Sequence, residues 1–261
     1  MSTTTLAAPT RADTAGVHAR PGLGRLVAVE LRKMVNTRAG FWLQVAMVAL
    51  TVVVVVARLL VGDARHHTFQ AVLDAGLQPS AILLPVLGIL LVTSEWSQRT
   101  GLITFTLVPV HSRVLSAKLI ASLLRAIAMV GISVAIIAVG VLVSSPGVEG
   151  AWSGAVPLIG QAAVYLTAMT LIGFGFGATL LVAAPAIVLI FALPMAWMAV
   201  VSLSVFSGVA PWVDNASALG QTTLGVMSAT EWAHAGTSLA IWMVLPLLIG
   251  ARRITRREIS A

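Results

Sequence analysis

Residues that could carry out chemistry are sparse in this chain, because only 10% of its residues are charged and none is cysteine. The absence of cysteine excludes disulfides, thiolate metal sites and cysteine nucleophiles together. ATP binding through a phosphate loop requires Gly-Lys-Ser or Gly-Lys-Thr, in which the lysine reaches the phosphates. The two lysines, Lys33 and Lys118, follow an arginine and an alanine. The sequence therefore predicts no ATP hydrolysis by this chain and no catalytic residue.

Two other patterns look like sites but have a simpler interpretation. The stretch GFGFG at 173–177 lies inside an apolar run and is followed by no base. Gly173 and Gly177 are one helical turn apart, a spacing of small residues that lets membrane helices pack closely, so we expect helix packing there. His66 and His67 are adjacent, and adjacent residues do not face one another on a helix, so no metal site is predicted.

Any functional residue must be positioned by elements that are mostly apolar. The sequence is 58% hydrophobic, its mean hydropathy is +0.99, and it contains several long apolar runs. A helix needs about 20 apolar residues to cross a bilayer core. The apolar region 155–203 is about twice that length, so it must fold back on itself, near residues 179–185. We predict an all-α membrane protein with six transmembrane helices, at about 41–61, 77–94, 119–143, 155–178, 183–203 and 236–251.

The positive charges agree with six spans. Fourteen of the 16 Lys and Arg residues lie in three places: before the first span, between the second span and the start of the third, and after the last span. The exceptions are Arg58 and Arg65. Because cytoplasmic segments carry an excess of Lys and Arg, both termini are predicted to be cytoplasmic, which requires an even number of spans. The net charge of +7 then reflects membrane topology, not nucleic-acid binding. We predict a multi-pass protein of the inner (cytoplasmic) membrane, of bacterial origin, with membrane lipids as partners.

The segments outside the spans differ in character. Residues 1–20 contain few large apolar side chains and are predicted to be disordered. Residues 21–39 form either an amphipathic helix flat on the inner leaflet or a cytoplasmic extension of the first span. Residues 252–261 are predicted to be a basic cytoplasmic tail. The segment 204–236 is too apolar for a solvated linker, so we expect either short helices at the outer interface or an irregular loop.

The stretch EWSQRTGLITFTLVPVHSRVLSAK, residues 95–118, is polar although an apolar run lies on each side of it. Leu102 and Phe105, and further along Val108, share one helical face, and Pro109 ends such a helix. A short amphipathic helix beneath the membrane has an apolar face with no partner in its own chain. That face must contact either the lipid surface or a groove on a cytoplasmic protein.

Residues in this loop also form a recognisable pattern. An acid ends the second span, and an Arg-Thr pair, a Leu-x-Pro, an arginine and a lysine follow: Glu95, Arg99, Thr100, Leu107, Pro109, Arg113 and Lys118. The pattern resembles the intracellular loop of ABC-2 type transporter permeases, and ELRKMVNTRAG before the first span is similar to the connecting helix of that family. Many members have a glycine where this chain has Arg99.

The resemblance implies the permease subunit of an ABC exporter. Such a subunit pairs with a second permease chain, as a homo- or heterodimer, and docks on two ATP-binding subunits that hold ATP and Mg, while it binds no cofactor itself. The helix at about 101–108 would be the coupling helix. The implied contact residues are Glu95, Arg99, Thr100, Leu102, Phe105, Leu107, Pro109, Arg113 and Lys118. The implied substrate is amphipathic or lipid-like: a drug, antibiotic, peptide or lipid.

Three polar residues within the predicted spans are candidates for a translocation path. Arg125 lies roughly 10 Å along the helix from Lys118. It either extends to the cytoplasmic headgroups or faces the dimer interior, where a charge is costly unless it is used. Gln161 and Tyr165 are four residues apart and either line a path or hydrogen-bond to a neighbouring helix.

Two other classes of function compete with an exporter. One is a non-transporting membrane scaffold or sensor, whose basic helix and loop bind lipid or a cytoplasmic partner. The other is a membrane enzyme, which the sequence disfavours because the predicted spans contain no paired carboxylates, histidine cluster or nucleophile–base set.

Overall fold

The computed structural model describes residues 22–61, 67–97, 111–201, 203–206 and 208–256. Every regular element within these residues is a helix. We number the α-helices in chain order: α1 Leu23–Asn36, α2 Arg38–Leu60, α3 Phe69–Ser97, α4 His111–Ser144, α5 Ala155–Leu180, α6 Ala183–Val201, α7 Ala210–Val213, α8 Asn215–Leu224, α9 Ala229–Leu239 and α10 Leu245–Arg256. A 3₁₀ turn, Ser204–Phe206, precedes α7, and a π-helical segment, Ala240–Val244, joins α9 to α10.

Six of the described helices are long and apolar enough to cross a membrane, which confirms the predicted all-α fold with six candidate spans. Five of them are α2 to α6, and the sixth is the continuous helix from α9 to α10, Ala229–Thr255. The predicted fold-back lies between α5 and α6, where Leu181 has a left-handed backbone with φ 61°. Its amide N–H donates to the Gly177 carbonyl, which closes the last turn of α5.

Several helices extend beyond the predicted spans. The helix that contains the second candidate span begins at Phe69 instead of 77, and the helix that contains the third begins at His111 instead of 119. The last helical segment begins at Ala229 and continues to Arg256, so residues 252–256 are helical instead of part of a separate tail. The predicted spans are shorter than the helices because they were based on runs of apolar residues. A helix can continue through polar residues when these find hydrogen-bond partners.

The segment predicted at 204–236 contains short helices, not an irregular loop. Asp214 precedes α8 and accepts a hydrogen bond from the Ser217 amide at 2.8 Å. Ser228 and Glu231 form a reciprocal capping box at the start of α9. These side chains satisfy backbone N–H groups that a helix leaves unpaired in its first turn, which explains why helices begin at these positions.

The bundle has two chemically different ends. We call the end formed by residues 22–40, 91–97, 111–118, 178–183 and 250–256 the basic end, and the other the opposite end. Apart from Arg58 and Arg125, every described lysine and arginine lies at the basic end: Arg25, Arg32, Lys33, Arg38, Arg113, Lys118, Arg252, Arg253 and Arg256. The opposite end holds the connection 145–154 and the short helices, and the Phe69 amide donates to the Ala151 carbonyl there at 2.7 Å.

Among the six candidate spans, α3 is the most deeply buried and α6 the least. The core lies along α3 and α5, with Leu77, Leu84, Leu166 and Phe174 almost completely enclosed. The looser attachment of α6 leaves an open side to the bundle between α3 and α6.

Candidate functional site

Most of the predicted partner contact lies outside the described residues. The predicted coupling helix at 101–108 is not among the described residues, and the side chain of Glu95 is not described either. The other predicted contact residues outside the description are Arg99, Thr100, Leu102, Phe105, Leu107 and Pro109. The structure describes the two helices that carry this loop, α3 up to Ser97 and α4 from His111. Arg113 and Lys118 are the two predicted contact residues whose side chains it describes. Arg113 is half-buried in the first turn of α4.

Lys118 lies inside the protein. Its side chain is 4% exposed, its Nζ lies 2.7 Å from Glu30 Oε2, and it also donates to the Leu91 carbonyl at 3.3 Å. The other oxygen of Glu30, Oε1, accepts from Lys33 Nζ at 2.7 Å, and the Lys33 side chain is 40% exposed. We call Glu30, Lys33 and Lys118 the Glu30 clamp. It joins α1 to α4 and, through Leu91, to α3.

The resemblance implied a direct partner contact for Lys118, and its position in the clamp corrects that implication. An ammonium group enclosed by its own chain cannot reach the surface of another protein without breaking the ion pair. Two charges removed from water are stable only when their geometry is good and their remaining hydrogen bonds are made. Both bonds to the Glu30 carboxylate have the short length of a charge-assisted hydrogen bond. The role of Lys118 is therefore to hold α1 and α3 at the start of α4.

Glu30 was not among the predicted functional residues. Amphipathic spacing assigned the charged residues of α1 to a polar face, and a carboxylate on such a face is normally solvated. One signal was present, because Glu30 is the only acid between residues 22 and 40 and lies three residues before Lys33.

An elbow between α1 and α2 fixes α1 from its other end. Thr37 is extended there, and its hydroxyl accepts from the Gly40 amide at 3.2 Å. A Cβ on Gly40 would overlap the Met34 carbonyl oxygen and lie 2.7 Å from Thr37 Oγ1, so no larger residue fits. Gln44 Nε2 donates to the Met34 and Gly40 carbonyls, both at 2.9 Å. The elbow and the Glu30 clamp together hold α1 against two candidate spans, α2 and α4.

Arg125 lies on α4, deeper in the bundle than the clamp, and is half-buried. Its Nε is enclosed and has no hydrogen-bond partner among the described residues. Both interpretations of this residue, extension to the headgroups and contact with a dimer interior, are compatible with this position.

Gln161 and Tyr165 have separate surroundings although they are one turn apart on α5. The Gln161 amide nitrogen donates to the carbonyls of Thr222 at 2.9 Å and Gly225 at 2.7 Å, and its oxygen accepts from the Met227 amide at 2.9 Å. Of the two predicted alternatives, hydrogen bonding to a neighbouring element therefore describes Gln161. Tyr165 instead lines a cavity between α3, α5 and α6.

Gln161→Leu will increase the hydrogen exchange of the connection between α8 and α9. The substitution leaves the buried Met227 N–H and two carbonyls without their partners, and each such group costs about 1–3 kcal/mol. Hydrogen–deuterium exchange of peptides covering 222–228 should be at least roughly tenfold faster. Gln78→Leu is the control, because Gln78 is exposed and bonds to its own helix at Asp74. Unchanged exchange in Gln161→Leu would contradict the assignment.

The glycines of GFGFG lie in close helix contacts. A Cβ on Gly173 would overlap Pro85 of α3, and a Cβ on Gly177 would lie 3.0 Å from the Cα of Ile89, which is also on α3. On the other side of α5, a Cβ on Gly175 would lie 3.1 Å from the Leu247 amide nitrogen. The absence of side chains at these positions lets α3 and α10 both approach the α5 backbone.

No group of three or more His, Cys, Asp or Glu residues lies close enough to hold a metal ion within the part of the chain that the structure describes. No protein-family model and no curated protein sequence matches the chain. The proposed function therefore rests on the fold, the charge distribution and the sequence of residues 95–118.

Proposed function

We propose that this chain is the transmembrane permease subunit of an ATP-driven ABC exporter. In this role it couples ATP hydrolysis by a separate nucleotide-binding subunit to export of an amphipathic or lipid-like substrate, such as a drug, antibiotic, peptide or lipid. The observation that carries the proposal is the Glu30 clamp. It ties α1 and α3 to the start of α4, directly after the loop whose residues resemble an ABC-2 coupling loop.

The clamp supplies a route for mechanical coupling. Lys118 is seven residues into α4, so a displacement of the loop before His111 acts on a helix to which α1 and α3 are bonded. Separating a buried ion pair is costly, because each charge loses its compensation in a low-dielectric environment. The three helices therefore respond together when the partner subunits close on ATP and Mg.

Charge supports the proposed orientation. The concentration of lysine and arginine at the basic end is typical of cytoplasmic segments, and it supports the proposal that both ends of the described chain are cytoplasmic. The proposed membrane is the inner membrane of a bacterium. On α1, Val27 and Met34 are buried against the bundle, whereas Leu23, Val29 and Val35 are about 40% exposed beside Arg25 and Arg32. Exposed apolar residues with flanking bases favour a helix that contacts the inner leaflet.

The proposed assembly contains two ATP-binding subunits and a second permease chain. ATP hydrolysis belongs to the partner subunits, since the sequence of this chain has no phosphate loop. The contact surface is the apolar face of residues 101–108 together with the polar residues that flank it.

Purification of the detergent-solubilised protein from its native host tests the proposal. A stoichiometric ATP-binding subunit should be recovered with the wild type. Its recovery should fall at least roughly tenfold with Leu102→Asp or Phe105→Asp, because a buried apolar contact of this kind commonly contributes 2 kcal/mol or more. The matched control is Val205→Asp, which places the same charge on an apolar residue that is 85% exposed at the opposite end.

Two outcomes would contradict the exporter. One is a protein that purifies alone. The other is a complex whose recovery is indifferent to both loop substitutions. Either result favours the non-transporting scaffold or sensor.

A further inference from the structure

A cavity of about 310 Å³ lies between α3, α5 and α6, beneath α8 and the π-helical segment. We call it the lateral cavity. Two of its lining residues, Ile82 on α3 and Met195 on α6, are 51% and 70% exposed and form its open side. Both lie within candidate spans, so the opening faces sideways out of the bundle. The volume is at the lower end of the range of sites for small organic ligands.

The lining is polar at one end and apolar at the other. Gln78 and Tyr165 lie in the halves of α3 and α5 that are nearer the opposite end of the bundle. Pro85 is roughly 10 Å further along α3 than Gln78, and Phe176 roughly 16 Å further along α5 than Tyr165. An occupant that fits this lining has a hydrogen-bonding head towards the opposite end and an apolar arm directed deeper.

Asn215 supplies an amide oxygen that bonds to no described residue. It lines the cavity and is 8% exposed, and its Oδ1 is enclosed without a hydrogen-bond partner among the described residues. Buried polar groups nearly always have a partner, so an amide oxygen that lacks one beside a cavity is a candidate to bond a ligand group once the side chain rotates towards the cavity. The two ends of an amide are interchangeable by rotation, which lets it donate or accept.

Neither the charge nor the remaining polar groups of the cavity favour an ionic ligand. Among the described lining residues none carries a charge. An ion placed there would lose its hydration without compensation. The indole Nε1 of Trp242 is already used, since it donates to the Val213 carbonyl at 2.8 Å, so Trp242 offers the cavity only its ring.

We propose that the lateral cavity binds one uncharged amphiphile with a single apolar arm. Its hydrogen-bonding head contacts Asn215 and Tyr165, and its arm lies against Phe176 and α6. The amphiphile enters between Ile82 and Met195 from the hydrocarbon around the bundle. A diacyl lipid is too large for this volume. That such a molecule is the exported substrate rests on the proposed function, whereas binding itself needs no ATP-binding partner.

The test uses the full chain in lipid nanodiscs and dodecanol brominated in mid-chain, since bromine quenches tryptophan fluorescence on contact. Trp242 in the cavity wall is the reporter. Quenching should contain a saturable component in the wild type that is missing in Trp242→Phe. Quenching that rises in proportion to the probe, or that is identical in Trp242→Phe, overturns the proposal.

Cavity variants locate the site. Ala216 lines the cavity and is exposed, so Ala216→Phe should weaken the saturable binding at least tenfold. Ala233→Phe, at an exposed position of α9 outside the lining, should leave it unchanged. Saturable binding that survives in Ala216→Phe overturns the location.

A matched pair of probes tests the polar head. Tyr165→Phe should weaken binding of the brominated alcohol about 5-fold, the effect of one lost hydrogen bond, and leave binding of the corresponding brominated alkane unchanged. Equal effects on both probes overturn the assigned head contact.

Brominated phosphatidylcholine should quench the wild type and Ala216→Phe equally; a difference would identify a diacyl lipid as occupant and overturn the single-arm proposal. Failure of these measurements leaves recovery of an ATP-binding subunit intact, and the reverse also holds, so the two proposals fail separately.

Discussion

Lys118→Met is expected to lower the free energy of unfolding by about 3 kcal/mol or more, because removing one partner of a buried ion pair leaves an uncompensated charge. The Glu30 side chain is 5% exposed, and without Lys118 its Oε2 loses a hydrogen bond of 2.7 Å. Methionine fills most of the space of the lysine stem, so the change in packing is small. Thermal unfolding of the purified protein in detergent, followed by circular dichroism, measures the loss.

Lys33→Met is the matched control, because Lys33 bonds to the same carboxylate at the same distance of 2.7 Å. Its side chain is 40% exposed, and a solvated ion pair contributes only about 0–1 kcal/mol. The double variant Glu30→Leu with Lys118→Met should recover most of the lost stability, since apolar residues replace a buried ion pair at little cost. Equal destabilisation by the two lysine substitutions would contradict the assignment of Lys118 to the interior.

The hydropathy of the sequence predicted the six candidate spans and the fold-back between α5 and α6, because these features depend on local composition. The start of α3 was not predicted, for a physical reason. Gln70 and Asp74 look like loop residues, yet Gln70 donates to the Leu224 carbonyl and Asp74 accepts from the Thr223 hydroxyl at 2.7 Å. These bonds satisfy polar side chains within a helix, and their partners are distant in sequence.

The candidate site was less predictable than the fold for the same reason. Glu30 and Lys118 are 88 residues apart, and no spacing rule connects a surface helix to the start of a span. Gln161 offered two interpretations until its partners, more than 60 residues away, were known. Asn215 gave no signal at all, since its significance is the cavity beside it and the cavity exists only in the folded bundle.

Gly173→Ala should destabilise the protein by at least about 3 kcal/mol, at or beyond the upper end of ordinary overpacking. A Cβ at this position would overlap the Pro85 carbonyl oxygen and lie 2.5 Å from Pro85 Cα and 2.6 Å from its carbonyl carbon. All three are backbone atoms, so no side chain can rotate away and α3 must separate from α5. This separation would also remove the close approach of Gly88 on α3 to the Thr170 carbonyl on α5. Thermal unfolding in detergent is again the measurement.

Two further glycines of α5 make this prediction a graded series. Gly177→Ala meets Ile89 Cα at 3.0 Å, a contact that a shift of a few tenths of an ångström relieves, so its cost should be about 1 kcal/mol. Gly160→Ala meets nothing within 4 Å and should be neutral or stabilise by about 0.5–1 kcal/mol, because alanine favours the helix. Since the three substitutions add the same methyl group to the same helix, only the distance to α3 distinguishes them. A melting temperature for Gly173→Ala equal to that of Gly160→Ala would mean that α3 and α5 do not pack backbone to backbone, and the open side between α3 and α6 would then lose its fixed wall.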